Sequence, residues 1–171
     1  MDVLQAIKQR RSIRQFTEQA IDRNLLEQIL DAARWAPTAG NQQRWRFIVV
    51  TDPTVKEMVR KVSPGIFATP AAFVVICAEK VPDASAWDEW TYLADCAIAA
   101  QNIMLAAHAL GLGSCLAISY ARTALKEILD IPEQVEPELV VTLGYPAEDP
   151  APPSRLPLSQ IVFADEYGKE W

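Results

Sequence analysis

The chain has 171 residues, 50% of them hydrophobic and 22% charged, which suits one compact domain, 1–171, with a sizeable core. Sixteen Lys and Arg against twenty-two Asp and Glu leave a formal net charge of −6, which excludes general attraction to nucleic acid or to anionic membrane surfaces. Three widely spaced cysteines, Cys77, Cys96 and Cys115, form neither a disulfide framework nor a CxxC metal or redox pair. With no long apolar stretch in the opening MDVLQAIKQRR, a reduced, cytoplasmic setting is expected.

In chain order, Asp2 and Gln5 predict a capping box for a helix that buries Leu4 and Ile7 and ends near Arg11. Its end is basic. If the helix persists, Arg10 and Arg14 are four apart and share a face, and Ser12 adds a hydroxyl donor; two guanidinium groups and a hydroxyl suit a phosphate. The competing explanation is that cations in a last turn complement the helix dipole. From Asp22, the positions Leu25, Leu26, Ile29, Leu30 and Ala33 repeat at helical spacing until Pro37 and Gly40 stop the helix. The loop from Pro37 to Gln43 then reads as ordinary turn chemistry, although its hydroxyl, amide and backbone groups also suit a polar planar ligand.

Trp45 to Val50 predicts a strand, and Asp52-Pro53 starts a short helix that runs to about Val62. Ala71 to Ala78 is an unbroken apolar run rich in β-branched residues, as in a central strand covered on both faces. Tyr92 to Leu110 predicts a helix that is apolar around most of its circumference. A membrane span is set aside because the run is alanine-rich and Asp95 alone would cost roughly 2.5–3.5 kcal/mol at a bilayer centre. Burial against the same helix of a second copy is expected instead, hence a homodimer. Two more strands are predicted over Ser114–Ile118 and Glu138–Leu143, with a helix from about Arg122 to Leu129 between them. The Pro-rich stretch Tyr145–Pro157 loosens the chain. The tail Leu158–Trp171 has no partner strand nearby in sequence and is expected to pair with the other subunit.

His108, the only histidine, has no neighbouring ligand for a metal and no Gly-x-Ser-x-Gly elbow for a hydrolase; a Gly-x-Gly-x-x-Gly dinucleotide loop is also missing. The five tryptophans read as core and interface anchors, and Trp87 and Trp90 are candidates to border a substrate pocket.

Arg10-Arg11-Ser12-Ile13-Arg14-Gln15-Phe16 is followed, in order, by AARWAPTAGNQQRWRFIVV, DCAIAAQNIMLAAHALGLGSC, LVVTLGYP and PSRLPL. This ordered set, spanning most of the chain, resembles the nitroreductase flavoprotein family. The resemblance implies an α+β fold with a central mixed or antiparallel sheet flanked by helices, in an intertwined homodimer with FMN at the subunit interface. It assigns the flavin phosphate and ribityl chain to Arg10, Arg11, Ser12 and Arg14, with Arg155 as a late phosphate ligand. Pro37, Thr38, Ala39 and Asn41 would reach in from the other subunit. Ala117, Ile118 and Ser119 would lie beside flavin N5, with the Ser119 N–H as candidate donor. No side chain is implied as catalytic. The chemistry implied is on FMN, with NADH or NADPH as transient hydride donor and a nitroaromatic, quinone or similar acceptor in a ping-pong cycle. Two readings stand beside it: a flavin-binding storage or sensory module without efficient turnover, and specialised flavin chemistry such as reductive dehalogenation. Two departures are visible. VSPGIFATPAAF replaces a longer excursion and offers only Ser63 and Thr69 as polar side chains, and Pro153 stands where some relatives carry a second base.

Overall fold

A computed structural model describes residues 1–171. Helix α1 (Val3–Gln9) opens on the expected capping box between Asp2 and Gln5. It stops earlier than the sequence predicts: Arg10 is already extended, at φ −54° and ψ 138°. Helix α2 (Arg23–Arg34) is capped by the Asp22 carboxylate, which accepts from the Asn24 N–H. Strand β1 (Trp45–Val50) leads into α3 (Pro53–Lys61), where the Asp52 carboxylate accepts from the Thr54 and Val55 N–H groups and Pro53 occupies the first turn, which has no donor to lose. Then follow β2 (Ala72–Glu79), α4 (Ala86–Ala109), β3 (Gly113–Ala117), α5 (Arg122–Ile128) and β4 (Val135–Gly144).

The four strands form one sheet in the order β1-β2-β4-β3, and every neighbouring pair is antiparallel. As its apolar run predicts, β2 is interior, with both faces covered from Ala72 to Ala78. Alternation along the strands separates the two layers. Val74, Ile76, Leu139, Val141 and Leu143 pack with Leu26 and Ile29 of α2 and Cys96, Ala100 and Ile103 of α4. Phe73, Val75, Cys77 and Val140 pack with Val59 of α3 and Leu125 of α5. Strand β4 begins at Val135 instead of Glu138. Pro137 pairs with Cys77 and Leu139 with Ile76, so Glu138 is squeezed out as a bulge.

Helix α4 starts at Ala86, before the predicted Tyr92, because Ser85 and Asp88 form a second capping box. Its buried side includes Cys96, Ala99, Ala100, Ile103 and Ala107, whereas Trp87, Trp90, Leu93, Ala97 and Ile98 face outward in this chain. No helix is long and apolar enough to cross a membrane. In the tail, Leu158–Gln160 is a single helical turn and Phe163 bridges to Glu170, while Tyr167 and Trp171 remain exposed. Within one chain the tail adds no strand to the sheet.

Candidate cofactor site

The residues after α1 are held by long-range pairing. The Ile13 N–H donates to the Ser114 carbonyl at 2.9 Å, Thr17 N–H to the Tyr145 carbonyl at 2.9 Å, and Ala147 N–H to the Gln15 carbonyl at 3.0 Å. The Glu148 carboxylate accepts from the backbone N–H of Arg14 and, at 3.0 Å, from that of Gln15. Residues 12–17 are thus wedged between β3 and the stretch that follows β4. Two glycines make room. Gly113 and Gly144 lie opposite each other in the β3–β4 ladder. A Cβ on Gly113 would come within 2.8 Å of the Ile13 side chain, and one on Gly144 within 2.6 Å of the Phe16 ring. Isolated glycines in strands mark such close approaches.

This wedge changes the reason that Arg10 and Arg14 converge. They do not share a helix face; successive side chains of an extended segment alternate, so Ile13 is buried while Ser12 and Arg14 turn the other way. Arg10, Arg11, Ser12, Arg14 and Arg155 line one cleft of about 310 Å³, with Pro150, Ala151 and Pro153 as its remaining wall. Arg23, Arg34, Arg46, Arg60 and Arg122 each pair with a carboxylate. None of the four arginines in the cleft does, and the buried Nε of Arg10 lacks a protein acceptor. Uncompensated guanidinium groups around a cleft are an anion site in waiting, because each has donors to satisfy.

Arg14 also borders an adjoining apolar slot, lined by Phe16, Gly65, Ile66, Phe67, Ala68, Cys115, Ala117 and Thr142. Just beyond Ala117 the exposed backbone carries Ile118 and Ser119, and Ser119 lies beside Gly65. The Ser119 N–H donates to no backbone carbonyl. The two polar side chains noted in the shortened segment stay out of the slot: Ser63 is fully buried behind it and Thr69 faces solvent. That segment therefore contributes apolar side chains and backbone.

The loop after α2 sits elsewhere. The Thr38 hydroxyl accepts from the Gln43 N–H at 3.1 Å, and the Ala39 N–H donates to the Asp95 carboxylate of α4 at 3.2 Å. Gly40, Asn41 and Gln43 all have positive φ, at 57°, 54° and 51°. Burial raises the Asp95 carboxyl above the usual Asp range, and the Ala39 hydrogen bond opposes that rise. Pro37, Thr38, Ala39 and Asn41 line neither the arginine cleft nor the apolar slot. Within one chain the predicted site residues therefore fall into two groups: Arg10–Arg14, Ala117–Ser119 and Arg155 in one, Pro37–Asn41 in the other. Sequence reasoning missed Gly113, Gly144, Phe16 and Glu148, which place the first group. The glycines carried the available signal, each lying at the end of a predicted strand.

The nitroreductase family model matches residues 7–69 and 60–145. A protein of Methanothermobacter thermautotrophicus, provisionally named NADH dehydrogenase/NAD(P)H nitroreductase, is 40% identical over 160 residues, covering 88% of this chain and 80% of its own. Among solved structures, nitroreductase A from Vibrio parahaemolyticus superposes with a TM-score of 0.90 at 28% identity, covering 97% of this chain and 76% of that one. An FMN-dependent nitroreductase from Clostridium difficile superposes with a TM-score of 0.85 at 26% identity, covering 96% of this chain and all of its own.

Proposed function

This chain belongs to the nitroreductase family, and from that premise we propose that it is an FMN-dependent NAD(P)H oxidoreductase whose complete site spans two subunits. The observation that carries the cofactor assignment is the set of four arginines without carboxylate partners in one cleft, joined through Arg14 to an apolar slot. A phosphate dianion fits the first, and the slot, only about 20 Å³ within one chain, gives a planar ring an apolar edge to lie against, so the residues present suit FMN. One of the superposing structures is named as FMN-dependent, which agrees with this choice.

Arg10, Arg11 and Arg155 would hold the phosphate, with Ser12 as hydroxyl donor. Arg14, common to cleft and slot, would bring a cation to the junction of phosphate and ring. The Ser119 N–H is free to orient the ring edge. When bound, FMN would supply the redox chemistry, taking hydride from NADH or NADPH and passing it to a nitroaromatic, quinone or similar acceptor. The protein's share is to bind, orient and exclude water; with both substrates visiting one position in turn, proximity needs no acidic side chain and solvent protons suffice.

The second subunit enters for three reasons. Helix α4 exposes an apolar stripe from Trp87 to Ile98, the tail leaves Tyr167 and Trp171 uncovered, and the Pro37–Asn41 loop lies apart from the cleft of its own chain. A two-fold pairing across α4 covers the stripe and lets that loop close the partner's site.

The test is reconstitution with excess FMN, followed by gel filtration and an absorption spectrum. The expected outcome is a yellow protein with quenched flavin fluorescence that NADH or NADPH bleaches without oxygen and that a quinone or nitro compound reoxidises. Absence of bound flavin overturns the cofactor assignment. Flavin that binds but is not bleached favours a storage or sensory module.

A further inference from the structure

Three buried polar atoms without protein partners belong to residues that line one cleft beside the arginine cleft. They are the Arg10 Nε just past α1, the His108 Nε2 in the last turn of α4, and the Ser114 Oγ of β3. Strand alternation fixes the direction of Ser114. Cys115 and Ala117 line the apolar slot on one face of the sheet, and Leu143, the cross-strand partner of Ser114, packs with α4 on the other. Ser114, only 1% exposed, thus turns toward α4, where His108 stands. All three residues line a single cleft of about 230 Å³, separate from the phosphate cleft but sharing Arg10 and Arg11 with it. Buried polar groups in proteins are almost always satisfied, and three such groups on residues lining one cleft are satisfied most simply by a shared water drawn in from it.

We propose that His108 and Ser114 hold Arg10 in its phosphate-binding pose through one buried water, which makes them positioning residues for the cofactor and couples the imidazole to the phosphate. The proposal rests on the flavin reading above. In this arrangement the water, held by Ser114 and His108, would take the Arg10 Nε–H, leaving the remaining guanidinium donors for the anion. The charged groups around His108 are Arg10 and Arg11 on the segment after α1 and Glu148 and Asp149 on the stretch after β4. Burial, then Arg10 and Arg11, lower its titration below the usual histidine value. A phosphate dianion on the far side of the same arginines offsets their charge, so FMN binding must move the His108 titration back to higher pH. Linkage requires the converse: a protonated His108 favours FMN.

Because His108 is the only histidine, its imidazole proton resonance is unambiguous in the intact protein. The experiment is an NMR pH titration of that resonance with and without saturating FMN, alongside FMN affinity in His108→Ala, His108→Gln and Ser114→Ala. The expected results are a titration midpoint that moves to higher pH on FMN binding and FMN binding weaker by about five- to tenfold in each alanine variant, the worth of roughly one hydrogen bond. His108→Gln, whose amide still reaches the water, should recover part of that loss. If wild-type protein binds FMN while the midpoint stays put, the coupling is wrong whatever the variants do. A protein that binds no FMN at all overturns the flavin reading itself.

Discussion

Phe16 rests where a Cβ on Gly144 would lie, and two residues before it Arg14 borders both phosphate cleft and apolar slot. Gly144→Ala should therefore act twice. The methyl forces the ring or the β4 backbone to move, costing about 1–3 kcal/mol as over-packing does, and the displaced segment carries Arg14 with it. Thermal denaturation of the apoprotein reads the first effect and fluorescence titration with FMN the second; a variant that lost neither would remove the glycine seat from the account. Arg14→Ala leaves the backbone alone and should weaken FMN binding by about 1.5–3 kcal/mol, the range for a hydrogen bond to a charged group, with Arg14→Lys losing less. Unchanged affinity would take Arg14 out of the site. At this scale the identities of the cations were legible in the sequence, but the reason they converge was not. Nothing local says that α1 stops at Gln9. The stop is imposed by Ser114, Tyr145 and Glu148, all more than a hundred residues away along the chain.

At the scale of elements, legibility tracks how local the deciding force is. The Asp52-Pro53 cap, the β-branched run of β2 and the helical spacing of α2 are written within a few residues, and their elements fall where expected. The early starts of α4 and β4 are harder. Trp87, Glu89 and Trp90 obscure the apolar period that the Ser85–Asp88 capping box overrides, and Pro137 argues against a strand unless a bulge absorbs it. The link between α4 and the Pro37–Asn41 loop is likewise long-range, resting on Asp95 and the Ala39 N–H. It has a pH signature. A carboxyl whose folded titration is raised contributes stability below its unfolded pKa that is lost as pH rises through the folded one. Asp95→Asn keeps an acceptor for Ala39 without a charge to desolvate. Relative to that variant, wild type should lose thermal stability as pH rises from the ordinary Asp value, about 4, through the higher folded titration. Asp95→Ala should release the loop, seen as faster hydrogen exchange at the Ala39 amide. Equal pH profiles for wild type and Asp95→Asn would show that Asp95 titrates normally.

Across the whole molecule, the proposed site joins its two halves through a second subunit, and α4 is where that pairing can be broken. The stripe that includes Trp90, Leu93, Ala97 and Ile98 is exposed in one chain, so a charge placed there costs the isolated fold little. In a two-fold interface every change occurs twice, so Ala97→Glu would bury two carboxylates, one from each subunit, in an apolar seam. The variant should keep its circular dichroism spectrum, elute as a monomer and fail to retain FMN, even though Arg10, Arg11, Ser12, Arg14 and Arg155 are untouched. Loss of dimer and flavin together would place the Pro37–Asn41 loop functionally in the partner's site. A folded monomer that still quenched FMN with wild-type affinity would mean that the arginine cleft and apolar slot suffice within one chain, and the loop would then need another role.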